Sequence, residues 1–129
     1  LTHLSNGLNA LSEKSNFIKF IDKYNKNLLS ECIIFAGLEP IMQFEEIFRF
    51  ISKFREVSDD EVIIYTGYNP DEIKDKLIRL TKFKNIIVKV GRYRPDLKPY
   101  YNNILKINLA SSNQSALEIP YSGGKYDIK

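Results

Sequence analysis

At 129 residues, with 43% hydrophobic and 27% charged side chains, the chain has the size and balance of one globular domain with a core of its own. No apolar run approaches the roughly 18 residues of a membrane span, and the first residues lack the basic-then-apolar pattern of a signal peptide. A net charge of +3 falls short of a nucleic-acid footprint, and one cysteine excludes an internal disulfide or a multi-cysteine metal site within these residues, in keeping with a reducing, cytoplasmic setting.

The charge is uneven. Residues 1–60 carry 7 Lys/Arg against 9 Asp/Glu, and the rest carry 12 against 7, so the C-terminal half is suited to an acidic partner. The opening "LTHLSNGLNALSEKS" reads as a loop entered midway, which makes upstream residues an expectation. Ser15 then caps a helix whose apolar positions Phe17, Ile18, Phe20, Ile21 and Tyr24 recur near helical spacing.

Cys32-Ile33-Ile34-Phe35-Ala36 is a continuous apolar run, as expected of a strand buried on both faces. It stops on Gly37-Leu38-Glu39-Pro40, and Phe44, Ile47, Phe48, Ile51 and Phe54 mark the stripe of a helix. The pattern repeats: Val62 to Thr66 is a strand, Gly67 turns it, and "NPDEIKDKLIRL" opens a helix with Asn69 as cap and Pro70 in the first turn. A third buried strand runs from Asn85 to Val90, closed by Gly91. This alternation predicts a parallel α/β sheet with right-handed crossovers. The remaining tail has little periodicity and many turn formers, and is expected to pack over the sheet. Ligands of such sheets meet the carboxyl ends of the strands. Here those ends are Gly37-Leu38-Glu39, Thr66-Gly67-Tyr68 and Gly91-Arg92-Tyr93, all on one edge.

Four blocks in register carry a resemblance. "FAGLEPIMQ" is similar to a "GGEP" or "GGDP" turn, "IIYTGYNPDEI" to a "TGY" strand end with its helix, "VKVGRYRPDLK" to a "VGPY" or "VDGKF" segment, and "SSNQ", Ser111 to Gln114, to a tail motif. Together they resemble the radical S-adenosylmethionine family, and within it the activating proteins of anaerobic ribonucleoside-triphosphate reductase, from about Thr2 to Ile119. "THLSNG" resembles the residues just after that family's CxxxCxxC loop, which is absent from these residues. The resemblance implies a partial (βα) barrel with parallel strands, truncated at the N-terminus, with residues 1–129 forming a single incomplete domain.

It further implies an oxidoreductase that binds a [4Fe–4S] cluster and S-adenosylmethionine. Reductive cleavage of the cofactor yields a 5′-deoxyadenosyl radical that takes hydrogen from a glycine of the large reductase subunit. The implied partners are that catalytic subunit and an electron donor such as flavodoxin or ferredoxin, with no nucleic acid and no membrane. The cluster ligands lie outside this chain, which alone is inactive. No catalytic or metal-ligating residue is expected in it.

The implied cofactor-binding residues are Gly37, Leu38, Glu39 and Thr66. The turn would receive the amino group of S-adenosylmethionine, with Leu38 standing where the family has a second glycine. Read from the residues alone, the same turn is a strand–helix joint with Pro40 starting the helix, and Thr66 is a turn threonine. In the ligand reading Glu39 points at Thr66 and adds little to stability. Lys89, inside an apolar strand, should reach a carboxylate, a ligand or the sheet's open end. Arg92 and Arg94 should face a partner or solvent, His3 should be a loop residue, and Cys32 a small hydrophobe. Ser111 to Gln114 should serve structure or docking. The alternatives are a cluster-free binding module of the same fold and an unrelated α/β nucleotide-binding domain, though no GxGxxG or P-loop pattern is present.

Overall fold

The computed structural model describes residues 2–4, 32–37 and 39–123. The helix expected from Ser15 to Tyr24 lies outside them, as does Leu38. The described residues form a mixed α/β fold with two helices on an open, mostly parallel sheet of five strands. The strands are β1 (Thr2–Leu4), β2 (Cys32–Phe35), β3 (Glu61–Tyr65), β4 (Ile86–Val90) and β7 (Ser115–Ile119), in the order β1-β2-β3-β4-β7. β1 through β4 are parallel, and β7 runs antiparallel to β4. A separate hairpin pairs β5 (Tyr100–Asn102) with β6 (Ile107–Leu109).

Among the described residues no closed barrel forms; they make an open sheet whose far end is antiparallel. His3, expected in a loop, lies in β1 opposite Ile34. The tail does pack on the sheet, but as an added strand that its sequence conceals. Only Ala116 of β7 is fully buried, and Glu118 is exposed, so no long apolar run announces it.

The two helices explain the main core. Helix α1 (Phe44–Phe54) buries Phe44, Ile47, Phe50, Ile51 and Phe54 against Ile33, Phe35, Val62, Ile64 and Val88. The expected stripe is off by one position. Phe50 fills the centre, edge-on to Phe35 at 5.4 Å, while Phe48 lies at the margin against Phe83. Burying each such aromatic contributes about 2–3 kcal/mol, and the edge-to-face contact adds about 1 kcal/mol. Helix α2 (Lys74–Leu80) follows a 3-10 turn at Pro70–Ile73. The Asn69 amide donates to Glu72 Oε1 at 3.0 Å, closing the first turn as the sequence predicts. The other sheet face carries a smaller cluster of Cys32, Ile34, Ile63, Ile87 and Ala116, with Tyr65 and Leu105 against it.

Because β2, β3 and β4 are parallel neighbours, Gly37, Gly67 and Gly91 lie side by side at one edge. Gly37 and Gly91 have φ of 91° and 99°, a region in which only glycine is unstrained. At Gly91 a Cβ would also stand 2.9 Å from the Asn113 carbonyl oxygen. Gly91→Ala should therefore destabilise the protein by about 1–3 kcal/mol. Denaturant unfolding at constant m-value measures it; a loss near zero would mean that the 111–114 loop yields freely.

Candidate functional site at the carboxyl edge

The edge is organised by one side chain. Pro40 presets the first residue of a 3-10 turn (Pro40–Gln43), and Glu39 is its N-cap. Glu39 Oε2 accepts the Ile41 amide at 2.9 Å. Its Oε1 reaches the next strand, accepting the Gly67 amide at 2.7 Å, while the Thr66 hydroxyl lies 2.9 and 3.0 Å from the two oxygens. Thr66, which is 3% exposed, in turn accepts the Tyr68 amide at 3.1 Å. Its own amide donates to the Lys89 carbonyl at 2.8 Å. Three strand ends are thus joined through one carboxylate and one threonine.

Of the four expected cofactor residues, the structure brings Glu39 and Thr66 into contact. Gly37 lies on the turn leading to them and Leu38 is outside the described residues. Against the expectation that Glu39 adds little to stability stands the finding that its carboxylate satisfies backbone donors of two elements. Three donors occupy most of its roughly four lone-pair directions.

Around this node the surface is polar and aromatic. Arg92 lies over the Tyr68 ring, 5.4 Å from its centroid, and 3.4 Å from Glu72. The Tyr68 hydroxyl is 3.7 Å from the sulfur of Met42, an exposed residue. Arg94 is exposed and pairs with Asp96 at 2.7 Å. Ser111 to Gln114, expected to serve structure or docking, clamp the turn after β4. Asn113 Nδ2 donates to the Arg92 carbonyl at 2.7 Å, Gln114 Nε2 to that of Gly91 at 3.3 Å, and the Arg94 amide to Ser111 Oγ at 3.1 Å. The Tyr100 hydroxyl holds the Gln114 carbonyl from the hairpin. A four-residue motif far away in sequence therefore sets the third strand end. Its polar composition was visible in the sequence, but its partners were not.

Lys89 is the outlier. It sits in β4 opposite Tyr65 and Ala116, on the face of the smaller cluster, with its ammonium 5.6 Å from the Tyr65 ring centroid. Burial pushes its pKa below the ordinary 10.5, and the charge of Glu39 opposes that shift. Burial first, and the neighbouring Cys32 second, raise the Tyr65 phenol.

A cleft of about 330 Å³ opens at the opposite edge, where β3 and β4 begin, between Glu61, Lys84, Glu118 and Tyr121. It is remote from the Glu39 node, whose chemistry is the more specific of the two.

Fold and edge together define an α/β domain whose parallel strand ends converge on a carboxylate. The particular family follows from comparison: the chain belongs to the 4Fe–4S single cluster domain family, whose model matches residues 4–117. No curated protein and no solved structure matches it. Membership supports an iron–sulfur-related function and is consistent with an oxidoreductase. No helix among the described residues is long and apolar enough to cross a membrane.

The residues present do not fit the cluster itself. A [4Fe–4S] centre takes three or four thiolates, whereas the sequence has one cysteine, Cys32, buried in β2. Among the described residues no three His, Cys, Asp or Glu side chains converge on a metal site. Any cluster would need thiolates from beyond these 129 residues.

Two outcomes are expected for stability. Glu39→Ala should cost about 2–3 kcal/mol, from a lost cap and unpaired donors at Gly67 and Thr66; thermal or denaturant unfolding checks it. Burial makes Lys89 lose its proton more readily in the folded chain than in the unfolded one, so between its lowered pKa and 10.5 the unfolded chain binds the extra proton. Stability should rise with pH across that window. Lys89→Met should remove the rise and raise the melting temperature at pH 7; a pH series of melting curves for both proteins would show it.

Proposed function

We propose that the chain is the cofactor-facing part of a radical S-adenosylmethionine activating protein. In this reading its open sheet belongs to a partial (βα) barrel, and its partner is a glycyl radical enzyme such as anaerobic ribonucleoside-triphosphate reductase. The observation that carries the reading is the Glu39 carboxylate, turned at the carboxyl edge onto Thr66 and the Gly67 amide. Family membership and the four sequence blocks support it.

S-adenosylmethionine presents an ammonium and a sulfonium, so a carboxylate with acceptor capacity to spare is the chemistry that would receive it. The cofactors supply hydrogen abstraction when bound, and the protein supplies position and shielding. Glu39 would orient the amino group, Thr66 would hold Glu39 in place, and the Gly91–Arg94 turn would flank the mouth of the site. The large reductase subunit and an acidic electron donor would approach this edge and the basic C-terminal half.

Binding of S-adenosylmethionine to the intact protein, by calorimetry or equilibrium dialysis, tests the reading. Glu39→Gln, measured where circular dichroism shows it folded, should weaken binding about ten- to a hundredfold, the loss of one charge-assisted hydrogen bond. Unchanged affinity would return the turn to a purely architectural role.

A further inference from the structure

We propose that the amino edge of the sheet, away from the Glu39 node, is a second binding site and takes a purine mononucleotide. The inference stands apart from the cofactor reading above and uses none of its residues.

Two clefts adjoin at that edge. The one of about 330 Å³ lies where β3 and β4 begin, with the carboxylates of Glu61 and Glu118 on its walls. The second, of about 230 Å³, is lined by Arg55, Lys82 and Asp59. Lys84 and Tyr121 belong to both, so the clefts meet at this pair. The first half is acidic. The second is basic, with three cations against Asp59 when Lys84 is counted.

The boundary between the halves is held in place from both sides. Tyr121 is 57% exposed, yet the next residue fastens it to the end of α2. The Ser122 amide donates to the Thr81 carbonyl at 2.7 Å, and Ser122 Oγ lies 2.9 Å from the Thr81 hydroxyl. On the other side, Arg55 donates Nε to the Lys84 carbonyl at 2.9 Å and Nη2 to that of Asn85 at 3.2 Å. Asn85, at φ of 57°, donates its side-chain amide to the Asp59 carbonyl at 2.7 Å. The Lys84 ammonium then stands 5.4 Å from the centroid of the Tyr121 ring. Among the described residues no carboxylate lies within ion-pairing distance of that ammonium. An exposed ring and an exposed cation are thus fixed by bonds from their neighbours, and the fold uses little of either.

Each part has a chemistry that a mononucleotide satisfies. The ring is a platform on which a base can stack. A phosphate goes to the basic half, where Lys84, Lys82 and Arg55 gather. Carboxylates only accept, so Glu61 and Glu118 suit the ribose hydroxyls and the nitrogen donors of the base. The space is of the size that small-molecule sites take. Inorganic phosphate would use the basic half alone, and an uncharged nucleoside would leave it unused.

Equilibrium dialysis of the intact protein against AMP, GMP, adenosine and inorganic phosphate tests this. AMP or GMP should bind at least tenfold more tightly than adenosine or phosphate. Tyr121→Ala should weaken the nucleotide about tenfold by loss of stacking and leave phosphate unchanged. Lys84→Gln should weaken the nucleotide about tenfold and leave adenosine unchanged. Melting curves establish that each variant is folded. Glu39→Gln, where folded, should leave nucleotide affinity as it is; a loss there would put the nucleotide at the carboxyl edge and overturn the inference. No preference over inorganic phosphate, or full affinity in Tyr121→Ala, would reduce the site to a basic patch and overturn it too. None of these outcomes touches the cofactor reading, which is tested by S-adenosylmethionine binding.

Discussion

The carboxylate of Glu39 is the joint on which the carboxyl edge depends. A parallel sheet leaves the ends of its strands unconnected to one another, because each chain departs into a helix on the same side. Here Glu39 caps the turn after β2, holds the amide after β3 and engages the threonine that bonds to β4. An alanine in its place would uncouple the turn after β2 from the end of β3, while backbone bonds from Thr66 and Gly91 would still tie β3 to β4. The surplus carboxylate in a turn that needs only a glycine is explained first by architecture. Function, in the proposed reading, uses what remains of its acceptor capacity.

The clamp by Ser111 to Gln114 extends the same logic to the third strand end. Gly91 has no room for a side chain because the 111–114 loop lies against it, and Asn113 and Gln114 bond to the carbonyls they press upon. The edge is therefore rigid at Gly67 and Gly91, where a ligand would need fixed dipoles. Lys89 is set on this rigid frame, not on a loop.

Much of this was legible in the residues. The runs at Cys32, Val62 and Ile86 are continuous because parallel strands are buried on both faces, and Asn69-Pro70 marks a helix start by its own chemistry. The contact of Glu39 with Thr66 followed from placing both at one edge. What sequence reading missed depends on partners far away in the chain. β7 alternates weakly because it lies at the side of the sheet, and Phe50 rather than Phe48 enters the core, where its ring meets that of Phe35 edge-on. The structural weight of Glu39 was hidden because a carboxylate's value lies in the donors around it, and two of these are backbone amides with no sequence signature. His3 falls in a strand because β2 offers it a parallel neighbour, which no local pattern reveals.

The reversal at β7 has a consequence for how the molecule behaves in a crowd. A row of unpaired strand amides is a template for another copy of the chain, and hydrophobic parallel strands such as β4 are the most adhesive of all. β7 takes that row itself, pairing antiparallel with β4. Its own outer margin is five residues long, carries the exposed charge of Glu118 and is ended by Pro120, which offers no amide. The strand that is least conspicuous in the sequence thus covers the amides of the most conspicuous one, β4.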